Sequence, residues 1–203
     1  MKGIFIVLEG PDGSGKSTMA KKIGEYYRGN GREIEFTREP GGTEIGEKVR
    51  NIILDNNNTE MDYRTEALLY AAARAQLVAE KIKPWLEEGK IVISERYVYS
   101  SLVYQGIGRG IGIEEVKKIN DFAIAGLVPD KVLFLDVNPE KGLRRKRRIN
   151  GGDRLENEDI SFHEKVYRGY GKLKPLFPEI KTINAERTIN EIFRDIKEII
   201  NSI

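Results

Sequence analysis

The sequence predicts an α/β fold: a doubly wound, five-stranded parallel sheet with helices on both faces. Three observations predict it. Five short apolar runs are each bounded by turn residues and separated by longer helical patterns, as strands buried on both faces require. A glycine-rich turn joins the first run to the first helix. The last helical stretch carries a single apolar stripe, which must dock on a sheet.

In chain order, "IFIVL" (residues 4–8) is the first strand and residues 16–28 the first helix. "EIEFTR" (33–38) follows the turn Gly29-Asn30-Gly31 and is the second strand. In residues 65–87, Ala67, Leu68, Leu69, Ala71, Ala72, Ala73, Ala75, Leu77, Val78 and Ala79 wrap almost the whole helix circumference. Such a helix is buried on more than one side, within the domain or against a second subunit. "IVIS" (91–94) follows the stop at Glu87-Glu88-Gly89, and "VLFLDV" (132–137) follows Pro129-Asp130. Asn138-Pro139-Glu140 then supplies a cap, a first-turn proline and an acid for a helix start. "IKTIN" (180–184) is the fifth strand. Thr188 to Glu191 forms a capping box, after which Ile189, Ile192, Phe193, Ile196, Ile199, Ile200 and Ile203 repeat at helical spacing. No internal repeat, low-complexity tract or linker interrupts the pattern, so residues 1–203 read as one domain.

Composition narrows the chemistry. Lys and Arg total 34 against 32 Asp and Glu, a formal net charge of +2, so any affinity for nucleic acid or membrane must be local. The absence of cysteine excludes disulfides, thiolate nucleophiles and cysteine-bound zinc; the lone histidine, His163, excludes multi-histidine metal sites. His163 lies among charged residues and reads as a surface side chain. The first apolar run is too short for a signal-peptide core or a membrane span. The expected location is cytoplasmic.

Gly10-Pro11-Asp12-Gly13-Ser14-Gly15-Lys16-Ser17-Thr18 satisfies G-x-x-x-x-G-K-[ST] between a strand and a helix. Glycines let the backbone curl so that N–H groups converge on phosphate oxygens. Lys16 adds charge at the outer phosphates, Ser17 offers a hydroxyl to Mg²⁺, and the helix start beneath favours an anion. The motif predicts nucleotide binding without choosing a reaction. No N-K-x-D guanine reader is present, which favours adenine nucleotides.

Ligands of an open parallel sheet bind beyond the carboxyl ends of the strands, so Glu95, Arg96 and Asp136 are expected near Lys16. Glu95 can hold Mg²⁺ or its waters. Arg96 either grips a second anion or forms a strand-end ion pair. Arg38 ends the second strand, and Arg50 lies about three helical turns further on. Arg74 interrupts a small, apolar helix face, with Tyr70 four residues earlier on the same face. The two form either an aromatic plate with a fork of donors, suited to a base with carbonyl oxygens, or a core tyrosine beside a buried salt bridge.

"GPDGSGKST", "REPGGTEIGEKVR", "LLYAAARAQL", "ISERYVYSSLVYQG" and "LFLDVNPEKGLRR" resemble, in order and over nearly the whole chain, successive signatures of the thymidylate kinases, a P-loop nucleotide kinase family. The resemblance implies transfer of the γ-phosphate of ATP to dTMP with Mg²⁺, by a homodimer. It implies that Tyr70, in place of the family's usual Phe, stacks on thymine, that Arg74 donates to a thymine carbonyl, and that Ser101 and Gln105 read the rest of the base edge. It further implies that Arg38, Glu39, Pro40, Arg50 and Arg96 line the acceptor site, that Tyr104 crowds the 2′ side of the sugar, and that Asp12 reaches toward sugar and phosphate. Two positions depart from the family pattern. Glu95 stands where Asp is more frequent, and Gly13 stands where one branch carries an arginine.

With no arginine in the loop, the charge that develops on the moving phosphoryl group must be met from elsewhere. The run "GLRRKRRINGGDRLE" (142–156) offers a hinged, arginine-rich lid, with Arg144, Arg147 and Arg148 sharing one helix face and Arg154 in the loop. A solvated surface and a nucleic-acid patch are the competing readings of the run. The alternatives for the whole chain are a kinase for dUMP or a deoxynucleoside, and a P-loop ATPase acting on nucleic acid.

Overall fold

The computed structural model describes residues 2–147 and 152–202, without the side chains of Lys146 and Arg147. Five strands form one parallel sheet in the order β2-β3-β1-β4-β5: β1 (Ile4–Glu9), β2 (Ile34–Arg38), β3 (Ile91–Glu95), β4 (Lys131–Asp136) and β5 (Ile180–Asn184). The register sets Leu8 and Arg38 on either side of Glu95, at the edge where β1, β2 and β3 all end.

Side chains alternate along each strand, and both sets are buried. Phe5, Val7, Val92, Val132 and Phe134 join one apolar core; Ile6, Leu8, Ile93, Leu133 and Leu135 join the other. This is why the strands read as continuous apolar runs. α1 (Lys16–Gly29) and α9 (Ile189–Ile200) close the second core through Met19, Ile23, Ile192 and Ile196. The capping box at Thr188 is formed on both sides, and Asn138 Oδ1 accepts from Glu140 N at 2.9 Å at the start of α7 (Pro139–Arg147).

The opposite face carries α2 (Glu44–Leu54), α3 (Tyr63–Leu77), α4 (Lys83–Glu87), α5 (Val98–Ser101), α6 (Ile113–Ile124) and α8 (Ile160–Leu173). Two π-helical segments interrupt this layer, Val78–Ile82 between α3 and α4, and Leu102–Gly108 after α5. The apolar circumference read for residues 65–87 is only half covered: Ala67, Ala71 and Leu77 are buried, whereas Leu68 is 55% exposed and Ala72 and Ala79 face outward. His163 is a correction. It is buried, because His163, Val166, Tyr170 and Leu173 form the inward face of α8 at helical spacing, a periodicity that outweighs its charged sequence neighbours. Among the described residues no helix is long and apolar enough to cross a membrane.

Candidate active site

The loop from Gly10 to Thr18 curls over the start of α1 at the carboxyl edge of the sheet. Gly15, with φ 94°, is the N-cap of α1; open space surrounds its Cβ position, so backbone conformation rather than room demands glycine here. Gly13 has φ 71°, and a Cβ on it would stand 2.0 Å from the Gly142 carbonyl oxygen. The loop apex thus lies directly against the first turns of α7. An arginine at position 13 would displace that helix, a physical reason for the departure noted above.

Lys16 is buried and donates to the carbonyls of Gly10 (3.0 Å) and Pro11 (2.9 Å). Burial, helped by the nearby Arg96 charge, lowers its pKa to about 7. Ser17 Oγ donates to Glu95 Oε2 at 2.9 Å, which joins the two oxygen groups expected at Mg²⁺. Among the described residues no group of three or more His, Cys, Asp or Glu is placed to hold a metal. One hydroxyl and one carboxylate beside a phosphate cradle fit Mg²⁺, which keeps waters and shares phosphate oxygens.

Arg96 lies across from Lys16. Its Nη2 donates to Asp12 Oδ1 (2.8 Å) and to the Tyr104 hydroxyl (3.3 Å), and its Nη1 to Ser100 Oγ (3.0 Å). Its φ of 73° is a left-handed conformation that a long side chain adopts at a cost of about 1–3 kcal/mol, as residues at functional sites often do. Arg38 and Arg50 both donate to the Pro40 carbonyl, at 3.1 and 2.8 Å. Burial and the Arg38 charge lower the pKa of Arg50, as in a site that gathers cations for an anion.

Arg74 is 1% exposed. Its Nε donates to Glu39 Oε2 at 2.7 Å, Nη2 to the same oxygen and to Tyr97 O (3.1 Å), and Nη1 to Ser101 Oγ (3.1 Å) and Asn120 Oδ1. All five N–H groups are therefore engaged within the protein. Of the two sequence readings, the buried salt bridge is present, and Arg74 nonetheless lines the site. Burial raises the pKa of Glu39 to about 6, with Arg74 pulling it down.

One cavity of about 660 Å³ joins these groups. It runs from Asp12–Thr18 past Glu95 and Arg96 to Arg38, Glu39, Pro40 and Arg50, and ends on Tyr70, Arg74, Ser101, Tyr104 and Gln105. A family model described as Thymidylate kinase matches residues 8–196. The chain belongs to the thymidylate kinase family. It is 51% identical to the thymidylate kinase of Finegoldia magna over 197 residues, covering 97% of each chain. Against that of Clostridium novyi the figures are 50% over 199 residues, again 97% of each. Against that of Lactobacillus helveticus they are 52% over 203 residues, covering 97% of this chain and 94% of the relative.

Among the described residues, the arginine-rich segment is only partly at the cavity. Arg145 lines it and Arg144 does not, since neighbours on a helix point about 100° apart. Arg148 lies outside the described residues. Arg154, expected as a lid arginine, is turned away. Its Nη2 donates to Glu66 Oε2 (2.6 Å) and its Nε to Ile53 O (2.9 Å), because a buried carboxylate attracts the nearest cation. Its neighbours Asp153, Leu155 and Glu156 line the cavity instead. Asp136, expected near Lys16, accepts from the Tyr167 hydroxyl at 2.7 Å.

Three features escaped the sequence. Glu9, wholly buried, accepts from Tyr97 N (2.9 Å), Ser100 N (3.2 Å), Ser100 Oγ (2.6 Å) and the Tyr170 hydroxyl (2.8 Å), and so ties down the turn behind Arg96. Glu66, also wholly buried, gathers Gln105, Arg109 and Arg154. Ala185, Arg187, Ile189 and Ile192 line the far end of the cavity. An acid at the end of an apolar strand was the only signal for Glu9, and an acid among helix-forming residues the only one for Glu66; the third had none.

Proposed function

We propose that the protein transfers the γ-phosphate of ATP to dTMP, giving ADP and dTDP. The observation that carries this reading is the continuous cavity, with a phosphate cradle at one end, a tyrosine, a serine and a glutamine at the other, and Arg38, Arg50 and Arg96 between. Membership of the thymidylate kinase family supports it.

In this reading the loop N–H groups and Lys16 hold the donor phosphates, and the three arginines hold the acceptor phosphate in line with them. An acceptor phosphate oxygen bonds to the γ-phosphorus as the bond from that phosphorus to the β–γ bridging oxygen breaks and leaves with ADP. The acceptor oxygen is already ionised, so alignment and charge neutralisation do most of the work. Ser17 and Glu95 would hold Mg²⁺, whose charge offsets that of the phosphates when bound. Arg145, on α7, is the described lid arginine placed to meet charge on the moving group. Tyr70 offers a flat face to the base; burial raises its hydroxyl pKa and keeps it neutral. Ser101 Oγ already accepts from Arg74, which leaves its O–H to donate to a base carbonyl. The far end, at Ala185, Arg187 and Ile189, suits the donor base.

A homodimer is part of the reading. Leu68 on α3 and Phe122 on the adjoining α6 are 55% and 88% exposed, with Ile45 and Ile52 exposed on the neighbouring α2. An apolar surface spread over three packed helices suits a second copy; a monomer in sedimentation would overturn it. The same reading puts the protein in the cytoplasm with its nucleotide substrates.

ADP release is measured with ATP, Mg²⁺ and, in turn, dTMP, dUMP, UMP, CMP, AMP and thymidine. Strong preference for dTMP is expected. DNA-stimulated release without any monophosphate would overturn the proposal in favour of an ATPase.

A further inference from the structure

We propose that Glu66 is a positioning residue for base selection: its carboxylate locks the Gln105 amide with the oxygen facing the cavity, so that the site accepts bases carrying N3–H and rejects cytosine. This rests on the dTMP kinase reading of the same site.

The two ends of a glutamine amide differ only in their hydrogens, so its partners set its orientation. Gln105 is 1% exposed, and Nε2 donates to Glu66 Oε1 at 2.9 Å. An ionised carboxylate accepts only, so the end of Gln105 that meets it must be the NH₂ group. Glu66 is wholly buried but stays ionised. Burial pushes its pKa up, yet the hydrogen bonds from Arg109 and Gln105 and the Arg109 charge bring it below the usual carboxylate range. Arg109 Nε reaches Oε1 at 3.2 Å, while Arg109 Nη2 and Arg154 Nη2 reach Oε2 at 3.1 and 2.6 Å. Arg109 is itself enclosed between the Tyr63 and Phe162 rings, 4.8 and 4.7 Å from their centroids, and paired with Glu158.

Gln105 Oε1 therefore has no protein partner among the described residues, and Gln105 lines the cavity. Thymine and uracil present a donor at N3; cytosine presents an acceptor. Binding cytosine would set two acceptors face to face, or turn Gln105 over and set its oxygen against the Glu66 carboxylate. Either arrangement leaves a buried polar group unpaired.

The arginines also determine what Glu66→Gln does. Two cationic N–H groups meet Oε2, at 3.1 and 2.6 Å, against one longer contact from Arg109 Nε at Oε1 (3.2 Å), so the new side chain keeps its oxygen at Oε2 and turns its NH₂ to the Oε1 position. Gln105 must then accept, which turns it over and presents NH₂ to the base. In kcat/KM, the preference for dTMP over dCMP should fall about 10- to 100-fold. The preference for dTMP over dUMP, which share N3–H, should stay within about twofold. Arg154→Met, which removes one of the contacts at Glu66 Oε2 and leaves Oε1 and Gln105 as they are, should affect dTMP and dCMP alike. An unchanged dTMP:dCMP ratio in Glu66→Gln, or equal loosening of both ratios, overturns the inference. If the variant does not fold, ¹⁵N-labelled wild-type protein decides. One Gln105 side-chain amide proton should be shifted downfield and exchange slowly, and two fast-exchanging protons overturn it. Failure of the wild-type protein to phosphorylate dTMP would sink the functional reading instead.

Discussion

Gly142→Ala sets two effects of opposite sign against each other. Gly142 lies within α7, where alanine is favoured over glycine by about 1 kcal/mol. Propensity alone thus predicts a slightly more stable protein with normal activity. The added Cβ, however, would stand 2.2 Å from the Asp12 carbonyl oxygen, whereas ordinary contact begins at 3.4 Å. The loop and helix must separate by about 3.4 − 2.2 = 1.2 Å. Asp12 and Gly13 form the apex of the phosphate cradle, and a displacement of about 1 Å can cost about 10²-fold in rate. Steric contact therefore wins for catalysis. The expected result is a fall of about 100-fold in kcat/KM for ATP, with a smaller loss of dTMP affinity, measured calorimetrically without ATP, because Asp12 also holds Arg96. Wild-type kinetics for ATP in Gly142→Ala would refute the reasoning and show that loop and helix do not bear on one another.

Other outcomes follow from the buried charges. Lys16, with a pKa of about 7, is mostly neutral at pH 8, and a bound triphosphate restores its charge. ATP binding should then take up close to one proton at pH 8 and almost none from Lys16 at pH 6, with affinity weakening as pH rises above 7; calorimetry in buffers of different ionisation enthalpy reads this directly, and buffer-independent heats at pH 8 count against it. Glu9→Gln places an NH₂ among four donors, which costs about 1–3 kcal/mol. The melting temperature should fall by about 2–4 °C for each kcal/mol, and KM for dTMP should rise as Ser100 releases Arg96. Arg145→Ala should lower kcat about 10³-fold, while Arg144→Ala stays within a few-fold in the same steady-state assay; equal effects would place the working arginine elsewhere.

The phosphate cradle was legible because its determinants are adjacent in the chain: a strand, a glycine-permitted curl, and a helix start. The sheet was legible because burial on both faces leaves continuous apolar runs, and the α9 cap because Thr188 and Glu191 lie one turn apart. Spacing carried less for the middle of the chain. The widened turn at Leu102–Gly108 places Tyr104 and Gln105 side by side in the cavity, and no helix-period argument separates a π-helical turn from an α-helical one.

The charged residues were hardest to place, for a physical reason. A buried ion must find a counter-ion or several hydrogen-bond donors, and those partners are set by the tertiary fold rather than by sequence distance. Glu39 and Arg74 are 35 positions apart, Glu66 and Arg154 are 88, and Glu9 and Tyr170 are 161. From the sequence, Arg154 is one more cation in a basic run; in the fold it lies nearest a carboxylate that has no access to water. Arg145, the arginine of that run that lines the cavity, has among the described residues no buried acid against its side chain to draw it away. Which cations remain at a phosphate site thus depends on which buried acids have already claimed the others. In this fold, Glu39 and Glu66 sort the arginines between holding the base pocket in shape and facing the phosphates.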